Sequence, residues 1–382
     1  MKQGLSIFFL AVALSALDCS GLRIDRAMRA ESEDWTTEGG VQSRVNVAAG
    51  NLRTPMVPDW EYSAQAGLKG TPLVRDSVVI LGTLNGELQA VNIVTGKRLG
   101  YKKFGAPIAG TPVLDGSTVY LTSAGEDQSL FSYSLHLGKR LWEFPAGPVE
   151  TSPLLLGETV VVAAVDGVVY GVEKSSGTQK WKYEIKGDRA EKQIHSSPAS
   201  DGTLVAVGSD DGVLRVLDGT SGTLRWESPS GASIFATPAF SGGNVLVGRL
   251  DGSIDAYDAA SGTLHWTYNT GAPVYGGMGI GSGLVFVGSS NGVLYCLDDR
   301  TGTERWNFRT KSVINSAPLV TDDQVVFGSL DHTLYVLNGK TGSKIWEFQA
   351  VGRIKVSPVL WGDILLVTSE DKYVTALRPE QP

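Results

Sequence analysis

Cysteine and histidine are scarce in this chain of 382 residues, which contains two cysteines and four histidines. The histidines are His136, His195, His265 and His332. They are far apart and lack the spacing of metal ligands. Cys296 lies in an apolar stretch, so we interpret it as a small buried hydrophobe rather than a nucleophile. If Cys19 is lipidated, no intramolecular disulfide can form in the mature protein. We therefore predict no catalytic residue, no metal and no cofactor.

Positive charge is also in the minority, with 33 Lys and Arg residues against 40 Asp and Glu residues and a net charge of −7. The basic residues do not form a stripe in the sequence. A balance of this kind argues against nucleic acid or an anionic membrane surface as the main partner. We expect contact with a membrane through a lipid anchor alone.

A hydrophobic run long enough to cross a membrane is missing near the N-terminus. Residues 5–17 are apolar and follow Lys2, which predicts a signal peptide over residues 1–18. Cys19 resembles the acylated cysteine of bacterial lipoproteins, although Asp18 replaces the usual small residue before it. The alternative is a secreted or soluble periplasmic protein cleaved nearby. Residues 19–58 lack strand periodicity, and we predict a polar tether there.

Tryptophan recurs with a period near 40 residues and stands four residues after a glycine in each repeat. These tryptophans are Trp142, Trp181, Trp226, Trp266, Trp306 and Trp346. A small residue followed by proline marks the start of most repeats, as at Thr71-Pro72 and Ser197-Pro198. A period of this length is the signature of a repeat architecture. We interpret the tryptophans as structural residues that pack one repeat against the next.

Each repeat reads as four short strands separated by glycine turns. In one repeat we predict strands at 204–208 and 213–217 and another that begins at Leu224. The intervening Asp211-Gly212 pair suits a tight hairpin. Such a sheet cannot bury both faces alone, and stacking copies in a ring leaves few exposed edges. The sequence therefore predicts an all-β propeller of four-stranded antiparallel blades.

The two ends of the chain predict how the ring closes. The last repeat, which begins at Pro358, is long enough for three strands and has no tryptophan strand. Trp60 stands 12 residues before Pro72, the same spacing as from Trp226 to Pro238. We expect residues 59–66 to supply the missing strand. Residues 59–382 would then form one eight-bladed domain.

Acidic residues recur at the turn between the second and third strands. They are Asp166, Asp210, Asp211, Asp251, Asp331 and Asp371. A calcium site requires several oxygen ligands that converge. Because these residues are spread around a ring and aspartate has a local role in turns, we interpret them as turn formers.

The repeat resembles the PQQ-like propeller repeat, as in residues 211–218 and in Thr301-Gly302-Thr303-Glu304-Arg305-Trp306. That resemblance covers the chain after Asp59 and implies one of two functions. Quinoprotein dehydrogenases hold a quinone and calcium within the ring, and BamB-like lipoproteins act in outer-membrane β-barrel assembly without catalysis. The signal peptide, Cys19 and bare blades favour the second. We predict a non-enzymatic exported scaffold that binds a protein partner, with outer-membrane β-barrel assembly as the leading role. The alternative is a quinoprotein-like or other small-ligand-binding propeller that uses the central channel.

Loops between blades are the expected site of partner binding. Connections from a fourth strand to the next first strand share one face with the turns between second and third strands. Mixed charge on a rigid ring suits recognition by complementary potential. The candidate partner-binding residues are Lys186, Arg189, Lys192, His195, Arg309, Lys311, Arg353 and Lys355.

Overall fold

The first strand of the chain, β1 (Met56–Ser63), belongs to the same sheet as the last strand, β32 (Tyr373–Pro379). The two strands pair antiparallel, from Met56 opposite Pro379 to Ser63 opposite Tyr373. The computed structural model describes residues 21–125, 128–187, 192–369 and 372–381. Within these residues each of the other sheets contains four consecutive strands. The ring of blades is therefore closed by joining the two ends of the chain.

The strands follow one another around the ring in chain order. Blade one contains β2 (Leu73–Arg75), β3 (Val78–Gly82), β4 (Glu87–Asn92) and β5 (Arg98–Lys103). Blade two contains β6 (Val113–Asp115), β7 (Thr118–Thr122), β8 (Leu130–Ser134) and β9 (Lys139–Phe144). Blade three contains β10 (Leu154–Leu156), β11 (Thr159–Ala163), β12 (Val168–Glu173) and β13 (Gln179–Glu184). Blade four contains β14 (Ala199–Ser200), β15 (Leu204–Gly208), β16 (Leu214–Asp218) and β17 (Leu224–Glu227).

The second half of the ring repeats this arrangement. Blade five contains β18 (Ala239–Ser241), β19 (Asn244–Gly248), β20 (Ser253–Asp258) and β21 (Leu264–Asn269). Blade six contains β22 (Gly279–Gly281), β23 (Leu284–Gly288), β24 (Val293–Asp298) and β25 (Glu304–Arg309). Blade seven contains β26 (Leu319–Val320), β27 (Gln324–Gly328), β28 (Thr333–Asn338) and β29 (Lys344–Gln349). Blade eight contains β30 (Val359–Trp361), β31 (Ile364–Ser369), β32 and β1.

This architecture confirms the predicted eight-bladed propeller and the closure of its last blade by the N-terminal strand. β1 begins at Met56 rather than at Asp59, because β32 continues to Pro379 and offers the earlier residues a partner. The part of the chain that the structure describes holds no helix long and apolar enough to cross a bilayer.

Six tryptophans of the fourth strands each pack against the blade that follows their own. In blade four, the Trp226 Nε1 donates a hydrogen bond to the Ala259 carbonyl oxygen in blade five at 2.8 Å. The indole ring of Trp226 also covers Gly262, where an added Cβ would lie 2.6 Å from Trp226 Cδ2. The same donation occurs from Trp60, Trp142, Trp181, Trp266 and Trp306. In blades three to seven, the glycine four residues before the tryptophan therefore receives the tryptophan of the preceding blade.

Blade one lacks a tryptophan, and residues near the N-terminus take its place. Gly100 occupies the tryptophan position, and Leu22 lies against it, fully buried. The backbone N–H of Ile24 donates to the Leu135 carbonyl oxygen at 2.8 Å. Leu135 directly follows strand β8, as Ala259 follows β20, so Ile24 replaces the indole donor. The described N-terminal residues thus complete the junction between blades one and two.

Residues 35–48, here called the inner segment, run through the central channel past the first strands of the blades. Trp35 forms an antiparallel bridge with Val74 in blade one, and Val47 forms a parallel bridge with Val320 in blade seven. Between them, inner-segment carbonyls accept backbone hydrogen bonds from Leu114, Ser200, Phe240 and Ile280. Arg44 reaches Pro153 of blade three. One stretch of chain therefore contacts seven blades.

The part of the predicted polar tether that the structure describes lies against the propeller. Leu22, Trp35 and Leu52 are at most 5% exposed. Burial of their apolar surface is favourable, and backbone N–H and C=O groups of the blades along the channel can form hydrogen bonds with the segment. The polar residues between them do not keep the segment in solvent. The predicted signal peptide and Cys19 lie outside the described residues.

Candidate functional site

One side of the ring, here called the mouth face, carries the connections between blades and the turns between second and third strands. The two kinds of loop are bonded to each other. Ser233, in the connection after blade four, donates to the Asp210 carbonyl oxygen in that blade's turn at 2.8 Å. This face is the one predicted to carry the partner-binding residues.

A ring of side chains surrounds the channel on this face, and each lies three residues before the proline, or its replacement, of a first-strand motif. This mouth ring consists of Lys69, Ala109, Glu150, His195, Phe235, Tyr275, Asn315 and Lys355. All but Phe235 line a cavity of about 180 Å³. The ring is not symmetric in chemistry, since Lys355, Lys69 and Glu150 belong to blades eight, one and three and His195 belongs to blade four.

Hydroxyl groups beneath the mouth ring hold neighbouring blades at fixed spacing. The Thr111 hydroxyl accepts from the Thr71 N–H at 2.8 Å, and the Ser152 hydroxyl accepts from the Thr111 N–H at 2.8 Å. The Ser197 hydroxyl accepts from the Ser152 N–H at 3.1 Å. The small residue before each of these prolines thus satisfies a buried backbone donor in the preceding blade. This linkage makes the mouth ring a preorganised surface.

Charged and aromatic side chains occupy different parts of the mouth ring. Lys69 Nζ lies 3.9 Å from Glu150 Oε2, and His195 Nε2 lies 3.8 Å from Asp210 Oδ2. Burial raises the pKa of the Asp210 carboxyl group, and the nearby His195 opposes that shift. The His195 ring stacks on Phe235 with centroids 5.0 Å apart, and Phe235 meets Tyr275 edge to face at 6.2 Å.

The inner segment forms the floor of the cavity. The Thr237 hydroxyl donates to Glu38 Oε1 at 3.2 Å, and Arg44 Nη1 lies 3.9 Å from Glu38 Oε2. Arg44 is buried and donates to the carbonyl oxygens of Pro153 and Pro198, both at 3.1 Å. Burial lowers the pKa of the Arg44 guanidinium, and Glu38 opposes that shift. The guanidinium is thus fixed by several acceptors.

The predicted partner-binding residues that the structure describes lie on the mouth face, but few of them meet. His195 and Lys355 border the cavity together. Lys192 forms an ion pair with Glu184, with 3.7 Å between Nζ and Oε1. Arg309 Nη1 donates a hydrogen bond to the Asn291 carbonyl oxygen at 3.1 Å. The other described members are Lys186, Lys311 and Arg353, which are exposed at the periphery of this face. Arg189 lies outside the described residues.

Several residues of the mouth ring were not predicted from the sequence. Lys69, Glu150, Phe235 and Tyr275 were missed because the prediction followed clusters of charge in long loops. The signal that finds them is position: each stands three residues before the proline or its replacement, Met278. Tyr275 is 44% exposed, which is high for a large aromatic side chain on a rigid surface.

The channel residues do not fit a quinone held with calcium. The described residues contain no group of three or more His, Cys, Asp or Glu side chains placed to hold a metal ion. The cavity of about 180 Å³ is smaller than the roughly 300–1,000 Å³ of typical ligand pockets. Turn residues such as Asp211 and Asp251 accept hydrogen bonds from backbone N–H groups two residues later, which is a local turn role. Asp371 lies outside the described residues.

Solved structures share this fold across different functions. BamB from Moraxella catarrhalis has a TM-score of 0.73 at 17% identity, covering 85% of this chain and 100% of that one. Quinohemoprotein alcohol dehydrogenase from Comamonas testosteroni has a TM-score of 0.78 at 13% identity, covering 92% of this chain and 82% of that one. At these identities the likeness shows the fold alone.

Sequence comparison is more specific. Outer membrane protein assembly factor BamB of Xanthomonas campestris is 34% identical over 116 residues, covering 27% of this chain and 28% of that protein. The match therefore spans little more than a quarter of that curated relative. A family model described as outer membrane protein assembly factor BamB matches residues 102–250, 188–282 and 250–381. Because these matches together span most of the propeller, this chain belongs to that BamB family of PQQ-like propellers.

Proposed function

We propose that this chain is a non-enzymatic exported scaffold that binds protein partners in the assembly of outer-membrane β-barrel proteins. Membership of the BamB family supports this function. The channel supports it as well, because the inner segment lies in the channel and its buried Arg44 is bonded to the Pro153 and Pro198 carbonyl oxygens. We place the protein on the periplasmic side of the outer membrane, attached by lipid at Cys19.

The mouth ring is the proposed binding surface. Binding hot spots are enriched in Trp, Tyr and Arg side chains. Tyr275 and Phe235 supply the aromatic part, while Lys69 and Lys355 lie on neighbouring blades and supply positive charge. Complementary acidic residues on a partner would set its orientation. The partner is a protein, in our proposal a subunit of the β-barrel assembly machinery.

Crosslinking in the native envelope tests this surface. We expect Tyr275→Ala combined with Lys355→Glu to reduce recovery of an assembly subunit about tenfold or more, as loss of a hot spot would. Lys340→Glu is the matched control, because Lys340 lies in the turn between β28 and β29 on the other face and is exposed. Bound proteins would be identified by mass spectrometry. Equal recovery with both variants would exclude the mouth ring as the binding surface.

Fractionation tests the anchor separately. Cys19→Ser removes the proposed acylation site, so the protein should leave the membrane fraction. Unchanged fractionation would refute lipid attachment at Cys19 and leave a secreted or soluble periplasmic protein as the alternative.

An absorbance scan of the purified protein tests the ligand-binding alternative. The scaffold proposal expects no quinone chromophore. A stoichiometric quinone would overturn it and favour the dehydrogenase-like class.

A further inference from the structure

Blades one and two carry a surface motif that is absent from the other blades. After the glycine that precedes the fourth strand, both have the sequence Lys-Arg-Leu, at residues 97–99 and 139–141. The corresponding dipeptides in blades three to seven are Thr178-Gln179, Thr223-Leu224, Thr263-Leu264, Thr303-Glu304 and Ser343-Lys344. A net acidic protein thus concentrates four cations at the start of two neighbouring outer strands.

Apolar side chains are exposed among these cations. Leu99 is 43% exposed, Leu141 is 45% exposed and Leu137 is 54% exposed. Val94, in the turn before β5, is 51% exposed. We call the two Lys-Arg-Leu motifs with Val94 and Leu137 the basic edge. Exposed apolar residues beside cations are the composition of surfaces that lie against lipid headgroups.

Few carboxylates neutralise the basic edge. Arg140 pairs with Glu143 at 3.1 Å, and Arg23 pairs with Asp25 at 2.9 Å. Lys97, Arg98 and Lys139 form no ion pair with a carboxylate among the described residues. Arg98 instead lies over the Tyr101 ring, 5.0 Å from its centroid. The edge therefore has unpaired positive charge that would attract anionic headgroups.

The N-terminal residues are fixed at the same edge. Leu22 is buried against Gly100, and Arg23 covers Gly138, the glycine that opens the second motif. Cys19 precedes Leu22 by three residues, a length that spans at most about 11 Å. A lipid on Cys19 would therefore hold the bilayer within contact distance of the basic edge, rather than at the end of a tether.

We propose that the basic edge is the surface of the propeller that lies against an anionic bilayer, which fixes the orientation of the protein on the membrane. This surface would add a second membrane contact to the lipid anchor, which the overall charge of the chain had led us to expect as the sole one. This inference rests on the proposed lipid attachment at Cys19. Val94 and Leu137 lie in turns on the side opposite the mouth face, so the mouth ring would point away from the lipid.

Fluorescence quenching in vesicles tests this orientation. The acylated protein would be reconstituted in vesicles of phosphatidylethanolamine and phosphatidylglycerol that contain a headgroup nitroxide lipid. Leu141→Cys provides an attachment site for a fluorophore. Ile345→Cys is the matched control, because Ile345 also precedes a tryptophan in a fourth strand and is 42% exposed. Cys296 is buried and would stay unlabelled.

We expect the probe at residue 141 to be quenched at least threefold more strongly than the probe at residue 345. Lys97→Glu with Lys139→Glu should abolish that difference, whereas Lys340→Glu with Lys344→Glu should preserve it. Equal quenching at both sites would overturn the proposed orientation while leaving the anchor intact. Protein missing from the vesicle fraction before quenching is measured would overturn the anchor and, with it, this surface.

Discussion

At the scale of single residues, the contact between a tryptophan and a glycine of the next blade is repeated around the ring. Each pair combines one hydrogen bond to a carbonyl oxygen with close stacking of the indole on a backbone that has no side chain. Gly262 also has a φ of +73°, which residues with an L side chain rarely adopt. The glycine is therefore required by its conformation and by its neighbour.

Replacing Gly262 separates these two requirements. We expect Gly262→Ala to lower the free energy of unfolding by about 1–3 kcal/mol more than Gly271→Ala, because its Cβ would overlap the Trp226 ring. Gly271 is the control, since its φ is +76° and no atom lies within 4 Å of an added Cβ. Thermal unfolding of both variants provides the measurement. An equal loss would show that backbone strain alone explains the glycine.

Cys296 should be chemically inert in the folded protein. Burial raises the pKa of its thiol to about 12. In the Cys19→Ser chain it is the sole thiol, so labelling with iodoacetamide at pH 8 should be negligible until denaturant is added. The thiol has a higher pKa in the folded state than in the unfolded state, whose pKa is the ordinary cysteine value near 8.5. The free energy of unfolding should therefore fall as the pH rises above about 8.5. Rapid labelling of the native protein would contradict its burial.

At the scale of elements, the inner segment behaves as a strap inside the ring. Its backbone is bonded to first strands on several sides of the channel, and Arg44 bridges blades three and four through Pro153 and Pro198. A buried guanidinium with several acceptors is costly to remove, because those acceptors then lack partners.

Arg44→Ala should therefore destabilise the protein by about 3 kcal/mol and expose the inner segment to protease. Arg53→Ala is the control in the same part of the chain, since Arg53 is 74% exposed and 3.4 Å from Asp363. Limited proteolysis with mass spectrometry would locate the cleavage. Protection of residues 35–48 in both variants would mean that backbone bonding alone holds the segment.

The strands could be predicted because the same order of apolar runs and glycine turns recurs in each repeat. Strand β15 begins at Leu204 and ends at Gly208, as the apolar run between the Asp201-Gly202 and Asp211-Gly212 turns predicts. The inner segment could not be predicted, because its residues have no strand period and its partners lie far away in the sequence. Trp35, for example, pairs with Val74, but Val47 pairs with Val320. The mouth ring could be predicted only in part. Lys355 belongs to a charged loop that the sequence reveals, whereas Tyr275 is distinguished only by its position three residues before Met278.

At the scale of the whole molecule, stability depends on closure of the ring. β32 lies between β31 and β1, and a chain that ends before Tyr373 would leave β1 without a partner and would expose one edge of β31, which still pairs with β30. We expect such a truncation to lose cooperative unfolding and to aggregate through exposed strand edges. Removal of residues 381–382, beyond the end of β32, is the control and should change little. Size-exclusion chromatography and circular dichroism would distinguish the two, and a monomeric truncated protein with native stability would contradict this dependence.

The composite eighth blade also sets an order of events during folding. β1 ends at Ser63, yet its partner β32 begins only at Tyr373, after the strands of all the other blades. β1 must therefore remain unpaired until the strands of all the other blades are present, and this long-range pairing makes closure a late step of folding. During that interval the backbone N–H and C=O groups of β1 have no strand partner, so a folding factor that covers this free edge would have to act before the ring closes.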